Sequence, residues 1–394
     1  MLRRNDRKLD NIPAGPLGII ALDGCQIMGN KVNDYLVQWR KEDGPEYKND
    51  IVFSGYERDN YLIEAKVPRF GTGEGKGSLD ESIRGRDIYL MVDVCNYSLT
   101  YTMNGRTNHM SPDDHYQNLK RVIAAIGGKA KRINVIMPFL YESRQHKRSG
   151  RESLDCALAL QELVRMGVDN IITFDAHDPR VQNAIPLHGF ETIRPTYQFV
   201  KALLRNVTDL KVDSDHMMAI SPDEGATERA VYLANVLNLD MGMFYKRRDY
   251  TKVVNGRNPI VAHEFLGSSV EGKDVIILDD MISSGESILD VARQLKQRKA
   301  KRVFAAATFG LFTNGLEKFD QAYEEGIIDA VLTTNLIYQT PELLQRPYYI
   351  SCGMSKYVAL LIDTLNHDGS ISDILDPSER IQDVVTRYKN GEAI

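Results

Sequence analysis

The stretch from Lys273 to Ser287, KDVIILDDMISSGES, constrains the fold of this chain more than any other. Its four consecutive apolar residues, 275–278, predict a strand buried on both faces, since a strand with one solvated face would alternate apolar and polar residues. Asp279 and Asp280 come next, followed by a loop of small and hydroxyl residues. Apolar residues at helical spacing complete the stretch, which therefore predicts a strand, an acidic pair, a tight loop and a helix.

The loop in this stretch has the properties of a phosphate-binding site. A loop at a helix N-terminus directs several backbone N–H groups and the positive end of the helix dipole at one point, and hydroxyl groups add donors. The acidic pair would repel a phosphate, so we expect it to hold sugar hydroxyls, directly or through a divalent cation. A second interpretation is a plain strand-turn-helix with Ser287 as N-cap, because no Lys follows a Gly as in a Walker loop.

Length and composition place the chain among globular proteins. Its 394 residues predict two or three domains, and a content of 43% hydrophobic and 26% charged residues is typical of folded chains. A net charge of -5 argues against a nucleic-acid binder. Four scattered cysteines without a CxxC pair argue against a zinc site or disulfide framework, and no apolar run has the length of a membrane span or export signal. We therefore expect a cytoplasmic protein with neither a nucleic-acid nor a membrane partner.

Other groups of polar residues also follow predicted strands. Open parallel sheets bind ligands at the carboxyl ends of their strands, so these groups are candidate site residues. They are the basic loop 144–151 after strand 133–137, His177 after strand 170–174, Asp223 after strand 217–220, and the basic triplet 246–248 after strand 241–245. The basic groups and the histidine each have a plainer interpretation, as solvated turns and as a structural histidine.

With these motifs in order along the chain, the sequence resembles the ribose-phosphate pyrophosphokinase family. VIILDDMISSGES resembles the 5-phosphoribosyl diphosphate (PRPP) loop of type I phosphoribosyltransferases, and Phe70, Gly73 and Glu74 match the family's FSDGE segment. Further similar segments are Arg144-Gln145, TFDAH, SPDEGA and Lys246-Arg247-Arg248. The chain departs from the family within these motifs at Thr72, His146, Ala226, Asp249, Ser283 and Glu286.

The resemblance implies a role for each candidate residue. Those implied to bind ribose 5-phosphate are Asp279, Asp280, Ser283, Ser284, Gly285, Glu286 and Ser287. Those implied to bind ATP are Phe70, Thr72, Gly73, Glu74, Arg144 and Gln145. His177 and Asp223 are implied to hold Mg²⁺, and Lys246 and Arg248 to be catalytic, opening a mobile loop through 255–259.

The resemblance also implies the reaction, the fold and the assembly. The reaction moves the diphosphoryl group of ATP to the C1 hydroxyl of ribose 5-phosphate, giving PRPP and AMP. The fold is α/β with two similar phosphoribosyltransferase-like domains, each a mainly parallel sheet flanked by helices. We expect residues 1–189 and 190–367 to form these domains, with insertions near 41–66 and 95–110 and a tail, 368–394, that returns to the first. Because the FSDGE segment serves a neighbouring subunit in the family, we also expect a homo-oligomer, hexameric or dimer-based.

Two other functions remain open at this point. A PRPP-consuming phosphoribosyltransferase would share the phosphate loop but not the nucleotide-binding segments. A catalytically silent, regulatory homologue is compatible with the departures from the family pattern.

Overall fold

The chain folds into buried apolar strands that alternate along the sequence with amphipathic helices. The computed structural model describes residues 12–47, 55–248 and 260–394, without the side chains of 43–47, 246–248 and 260–263. The chain divides into two compact units. Unit 1 consists of residues 1–194, 335–338 and 353–376, and unit 2 of residues 195–334, 339–352 and 377–394. The predicted α/β fold with two similar sheet domains is confirmed.

Unit 1 contains a five-stranded, wholly parallel sheet. Its strands are β1 (Leu17–Ala21), β4 (Asp87–Met91), β7 (Arg132–Ile136), β8 (Asn170–Phe174) and β9 (Gly189–Ile193), side by side in that order. Two small antiparallel pairs are β2 (Ala65–Lys66) with β3 (Ser78–Leu79) and β5 (Thr100–Met103) with β6 (Arg106–His109). The helices are α1 (Gln26–Tyr47), α2 (Pro112–Ile126), α3 (Asp155–Arg165), α9 (Ser355–Asn366) and α10 (Ser372–Leu375).

Unit 2 contains a seven-stranded sheet. In sequence order its strands are β10 (Met217–Ser221), β11 (Asp240–Arg248), β12 (Ile260–Leu266), β13 (Asp274–Ile282), β14 (Arg302–Gly310), β15 (Ala330–Thr334) and β16 (Tyr349–Cys352). The spatial order is β12-β11-β10-β13-β14-β15-β16, and only the β11-β12 pair is antiparallel. The helices are α4 (Thr196–Asn206), α5 (Thr227–Leu237), α6 (Glu286–Gln297), α7 (Glu317–Glu324), α8 (Pro341–Leu344) and α11 (Ser378–Lys389).

Strand β13 is apolar throughout its first half because both faces of its sheet are covered. Val275 and Ile277 lie in one hydrophobic cluster, which also contains residues of α6 and α7. Ile276 and Leu278 lie in another cluster, built with residues of α4, α5 and α11. Alternate residues of a strand point to opposite faces, so a strand between two helical layers needs apolar side chains at every position. The predicted doubly buried strand is confirmed.

The two sheets begin their central strands with the same ion pair. In unit 1, Arg132 at the start of β7 donates from Nε and Nη2 to the two carboxylate oxygens of Asp87, at 2.9 and 2.7 Å. In unit 2, Arg302 at the start of β14 donates in the same way to Asp274, at 2.8 and 2.6 Å. Both aspartates are buried, and both pairs are in register across neighbouring strands. The two units therefore repeat one architecture.

The C-terminal part of the chain is divided differently from the prediction. Helix α9 was expected in the second domain, but it belongs to unit 1, where Arg40 forms an ion pair with Asp363 and Asn366 donates to Asp87. These groups are all buried, and buried charges are stable only beside partners. Conversely, residues 377–394, expected to return to the first domain, belong to unit 2. No described helix is both long and apolar enough to cross a membrane.

Candidate active site

Strand β13 extends further than the apolar run predicted. The acidic pair was expected to end the strand, but Asp279, Met281 and Ile282 are still in register with β14. Strand pairing to β14 therefore continues beneath the acidic pair, and it fixes the backbone of Asp279 and Asp280 inside a sheet rather than in a loop. Only Ser283, Ser284 and Gly285 lie between the strand and α6.

Gly285 is the N-cap of α6, a position that one interpretation of the sequence gave to Ser287. Its φ of 80° lies in the left-handed region, which glycine adopts without strain. A Cβ atom there would also lie 2.3 Å from Cε2 of the buried Phe319 on α7. Backbone conformation and close packing both require glycine, so the loop meets the helix in one defined shape.

The backbone of the loop is held from the segment that follows β14. Thr313 donates its N–H to the carbonyl of Ser283 at 2.9 Å, and the N–H groups of Leu311 and Phe312 donate to the carbonyl of Ile282 at 2.9 and 3.2 Å. These bonds use backbone carbonyl groups as acceptors, so none of them occupies an N–H group of the loop. The predicted phosphate-binding role uses N–H donors at this helix N-terminus.

Three carboxylates lie near one another beside this loop. Asp280 is buried, and its N–H donates to the Asp279 carboxylate at 2.8 Å. Burial, the Asp280 carboxylate and the Asp223 carboxylate all raise the pKa of Asp279 well above its usual range. Asp223 reaches this position because β10, which it follows, pairs directly with β13. The structure thus brings the acidic pair together with Asp223, which the sequence placed at the end of a different strand.

Asp223 is itself held in a tight turn. Its Oδ1 accepts N–H groups from Gly225 at 3.0 Å and Ala226 at 3.3 Å, just before α5. These bonds orient the carboxylate, so that it shares the carboxyl end of the sheet with Asp279.

Glu286, the first residue of α6, places a negative charge at the loop that is predicted to bind phosphate. Its carboxylate accepts a hydrogen bond from Lys318 Nζ on α7 at 2.6 Å, and this ion pair lowers the pKa of Glu286. The contact joins residues 32 positions apart. Sequence reasoning missed Lys318, because nothing in the local pattern marks it.

The predicted catalytic cations occupy the end of β11. Lys246 pairs with His263 and Arg248 with Ile260 in the antiparallel register of β11 and β12. Strand β12 was not predicted, and it gives the basic segment a strand partner. The expected mobile loop at 255–259 lies outside the described residues, and the side chains of Lys246 and Arg248 are not described.

The predicted ATP segment near Phe70 is a tight turn in unit 1. Phe70 N–H donates to the Glu74 carbonyl at 2.7 Å, and Gly73 N–H donates to the Phe70 carbonyl at 2.8 Å. Thr72 donates its hydroxyl to the Glu74 carboxylate at 3.0 Å. Phe70 is 55% exposed although it is aromatic, so the turn presents a large apolar ring to its surroundings.

This turn is braced by residues that the sequence did not mark. Arg69 donates to the Gly73 carbonyl and to Asp114, both at 3.0 Å, and its guanidinium stacks over the Tyr101 ring. Tyr101 belongs to β5, in the segment predicted to be an irregular insertion. The segment instead contains the β5-β6 hairpin, which supports the Phe70 turn.

The basic segment after β7 is folded on itself. Gln145 donates its side-chain amide to the Ser153 carbonyl at 2.7 Å, so the loop closes towards the start of α3. Arg144, the other residue predicted to contact ATP, is exposed. Burial and Asp93 raise the pKa of the nearby Cys95, and the positive charge of Arg144 offsets part of this rise.

His177 is exposed directly after β8, and His146 of the basic segment lies beside it. The two imidazole rings make an edge contact, with centroids 5.3 Å apart. His146 Nε2 lies 3.5 Å from Asp178, whose pKa is lowered to about 2, chiefly by hydrogen bonds from Arg180. Asp178 was missed, although it follows a strand-end histidine. Within the described residues no group of three or more His, Cys, Asp and Glu side chains is arranged to hold a metal ion.

Comparisons with known proteins match both halves of the chain to the two domains of one family. Residues 17–167 match the N-terminal domain of ribose phosphate pyrophosphokinase, and residues 191–343 match the phosphoribosyl transferase domain. The ribose-phosphate pyrophosphokinase of Pasteurella multocida is 29% identical over 314 residues, which cover 79% of this chain and 90% of the relative. That of Mycoplasma genitalium is 30% identical over 273 residues, which cover 68% and 74%.

A solved structure gives the same fold. The phosphoribosylpyrophosphate synthetase of Mycobacterium smegmatis superposes with a TM-score of 0.69 at 22% identity, over 90% of this chain and 99% of that one. Both matched domains, relatives that align over most of their length and the shared fold therefore lead to one assignment. This chain belongs to the ribose-phosphate pyrophosphokinase family.

Proposed function

We propose that this chain is a ribose-phosphate diphosphokinase, which transfers the β,γ-diphosphoryl group of ATP to the C1 hydroxyl of ribose 5-phosphate and releases AMP and PRPP. The observation that carries this proposal is the acidic pair of β13 immediately before a glycine-capped loop and helix, in a chain whose first half matches the N-terminal domain of ribose phosphate pyrophosphokinase. A phosphoribosyltransferase is not favoured, because that match covers a domain of the pyrophosphokinases.

The sugar-phosphate half of the site is assigned to unit 2. Asp279 and Asp280 accept hydrogen bonds from the ribose hydroxyls, and the residues 283–287 bind the 5-phosphate through N–H groups and serine hydroxyls. Gly285 supports this role, because its fixed conformation makes the loop preorganised. Glu286 takes part through its backbone, since its carboxylate is engaged by Lys318.

The nucleotide half of the site is assigned to two segments of unit 1. The exposed ring of Phe70 provides a stacking surface for adenine. Thr72, Gly73 and Glu74 complete the turn that presents it, and Arg144 and Gln145 provide donors for the nucleotide. Arg144 is exposed at the carboxyl end of β7, where open parallel sheets bind ligands.

Magnesium fits the carboxylate assigned to it in unit 2. Burial and the neighbouring carboxylates of Asp280 and Asp223 raise the pKa of Asp279, so a divalent cation would relieve the repulsion among the three carboxylates. Mg²⁺ prefers oxygen ligands, and in phosphoryl-transfer sites it is held by one or two protein groups together with substrate phosphates. Asp223 in unit 2 and the exposed His177 in unit 1 are each assigned as a magnesium ligand; when bound, the ion would neutralise charge on the transferred phosphates.

Lys246 and Arg248 are assigned to the transferring group. Phosphoryl transfer needs positioned cations where charge develops, and it needs no covalent nucleophile. Arg can grip two oxygens with its planar fork, whereas Lys acts as a point charge.

The proposal is tested by incubating the purified protein with MgATP and ribose 5-phosphate. We expect AMP and PRPP in equal amounts, and neither product when ribose 5-phosphate is omitted. Absence of both products with a folded protein would favour the silent regulatory homologue. Consumption of added PRPP with a purine or pyrimidine base would instead identify a phosphoribosyltransferase. The cytoplasmic location remains a prediction, supported by four cysteines that are all unpaired.

We further propose a homo-oligomer in which Phe70 serves the site of a neighbouring subunit. The exposure of this ring supports the proposal, because a stacking surface needs a partner. The change Phe70→Ala is expected to weaken ATP binding about tenfold, by loss of aromatic burial and stacking. Mixing this variant with an Asp279→Ala variant should restore part of the activity, since some sites then combine two intact halves. A fully active monomer in sedimentation velocity would contradict the shared site.

A further inference from the structure

Two consecutive residues of α7 contact two consecutive residues of the phosphate loop region. The ring of Phe319 occupies the space that a side chain at position 285 would need, and Lys318 forms the ion pair with Glu286. Phe319 is completely buried, so it anchors the backbone from which Lys318 projects. The Lys318 ammonium is therefore held at the start of α6 by a packed residue next to it.

The Glu286 carboxylate is a competitor for the ligand of this loop. An anion at the first turn of a helix is attracted by the helix dipole and by N–H groups that have no partner within the helix. A phosphate bound by residues 283–287 would use the same attraction. A carboxylate on the first residue of α6 can reach this region by rotating its side chain, and there it would exclude or repel a phosphate.

Protonation does not remove this competitor near neutral pH. The ion pair with Lys318 lowers the pKa of Glu286, so the carboxylate stays charged. The two side chains are 63% and 51% exposed, and an ion pair in such a setting adds little to the stability of the fold. Its effect is therefore expected in ligand binding rather than in unfolding.

We propose that Lys318 is a positioning residue which holds the Glu286 carboxylate away from the phosphate site and thereby raises the affinity for ribose 5-phosphate. This inference rests on the proposed function of the loop. The ammonium acts in two ways: it fixes the direction of the carboxylate, at 2.6 Å, and it offsets the negative charge next to the bound phosphate.

The test compares the dissociation constant for ribose 5-phosphate, by isothermal titration calorimetry, among wild type, Lys318→Met, Glu286→Gln and the double variant. We expect Lys318→Met to bind about fivefold more weakly, the scale of an exposed ion pair. Glu286→Gln removes the competing charge and should bind ribose 5-phosphate more tightly than wild type, and the double variant should recover wild-type affinity. The matched control is Lys299→Met, which breaks an equally exposed ion pair with Glu271 in the same unit and should leave affinity unchanged.

The outcomes separate this inference from the proposed function. Equal affinities of wild type and Lys318→Met would overturn the inference while leaving the function intact. A double variant as weak as Lys318→Met would show that Lys318 does not act through Glu286, and would overturn it as well. Failure of the folded wild type to bind ribose 5-phosphate at all would overturn the proposed function, and this inference with it. Recovery in the double variant, together with an unaffected control, would support the inference.

Discussion

Two interior strands, β4 in the sheet of unit 1 and β13 in the sheet of unit 2, start alike and end differently. Each begins with a buried aspartate that is paired through two hydrogen bonds to an arginine on the next strand. Counted from these aspartates, Asp93 in unit 1 corresponds to Asp280 in unit 2, and Val92 corresponds to Asp279. One architecture therefore carries one carboxylate in unit 1 and two in unit 2.

The carboxylate of unit 1 is used to hold the backbone. Asp93 is buried and accepts the N–H of Cys95 at 2.9 Å and the N–H of Tyr338 at 2.7 Å. In unit 2 the extra carboxylate, Asp279, is more exposed and lies near Asp223, just before the glycine-capped loop that is proposed to bind phosphate. The repeated sheet thus provides one frame in both units, and the residue at the strand end, Val92 in unit 1 and Asp279 in unit 2, is where the unit proposed to bind the sugar phosphate gains a second carboxylate.

The largest loss of stability is expected from breaking the Arg–Asp ion pair that the two units share. Arg132→Ala leaves Asp87 charged and buried, and the loss of one partner from a buried ion pair costs about 3–5 kcal/mol. Arg302→Ala should cost less, because Arg132 also donates to the Leu365 carbonyl at 2.9 Å and to Asp368 at 2.5 Å, whereas Arg302 adds one bond, to the Thr208 carbonyl at 3.0 Å.

Urea unfolding of both variants measures this difference. The exposed Arg180→Ala of unit 1 is the control, since its guanidinium lies largely in solvent. Equal losses for Arg132→Ala and Arg302→Ala would mean that the extra contacts of unit 1 contribute nothing.

The next effect, on turnover, concerns β11 and β12, which have no counterpart in the parallel sheet described for unit 1. Lys246→Ala and Arg248→Ala should each lower kcat about a hundredfold and leave KM nearly unchanged, because a cation that meets developing charge stabilises the transition state by about 3 kcal/mol. Steady-state kinetics checks this, with circular dichroism to confirm folding. Wild-type turnover in both variants would remove the basic segment from the mechanism.

A smaller loss of stability is expected for a change at Asp93, the residue of unit 1 that corresponds to Asp280 in unit 2. In Asp93→Asn an NH₂ group replaces one of the two carboxylate oxygens and faces a backbone N–H donor. This mismatch is expected to lower the free energy of unfolding by about 1–3 kcal/mol. Ribose 5-phosphate binding, measured by calorimetry, should be unaffected. Strong loss of binding in a folded variant would contradict a purely structural role.

The stability lost in Asp93→Asn should also depend on pH. Burial raises the pKa of Asp93 to about 7 in the folded protein, above its value of about 4 in an unfolded chain. A raised folded-state pKa means that the folded protein binds the proton more tightly, so this stabilisation is complete below about pH 4 and is lost as the pH rises to about 7. The difference between wild type and variant should therefore shrink across that interval. A constant difference from pH 4 to 8 would exclude the titration of Asp93.

The smallest effect is expected at Ser287. Its change to Ala removes one hydroxyl donor from the loop while the N–H groups remain, so ribose 5-phosphate affinity should fall about fivefold, the worth of one hydrogen bond of about 1 kcal/mol. Because that bond is equal in ground and transition states, KM should rise more than kcat falls. ATP binding should stay the same, and equal weakening of both ligands would contradict the assignment of this loop to the sugar phosphate.

The sequence predicted those parts of the site that depend on neighbouring residues. The apolar run before Asp279 and the small residues after Asp280 sufficed to predict the strand, the loop and the helix, because burial and turn chemistry are local. Gly285 as the N-cap was not predicted, since its requirement comes from Phe319 on another helix. The Glu286–Lys318 pair and the nearness of Asp223 to Asp279 likewise depend on which strands become neighbours, and no local pattern contains that information.

Because the chain is synthesised from its N-terminus, its division into two discontinuous units affects when each unit can complete its folding. The chain passes between the units after residues 194, 334, 338, 352 and 376, so neither unit is a continuous segment. Domains generally form from the N-terminus as they leave the ribosome. In unit 1 the buried Asp87 is hydrogen-bonded by Asn366, and the buried Arg40 is paired with Asp363. Both partners are synthesised more than 250 residues later. Until those residues emerge, the nascent first unit carries an incomplete polar core, and premature termination before α9 leaves it unfinished.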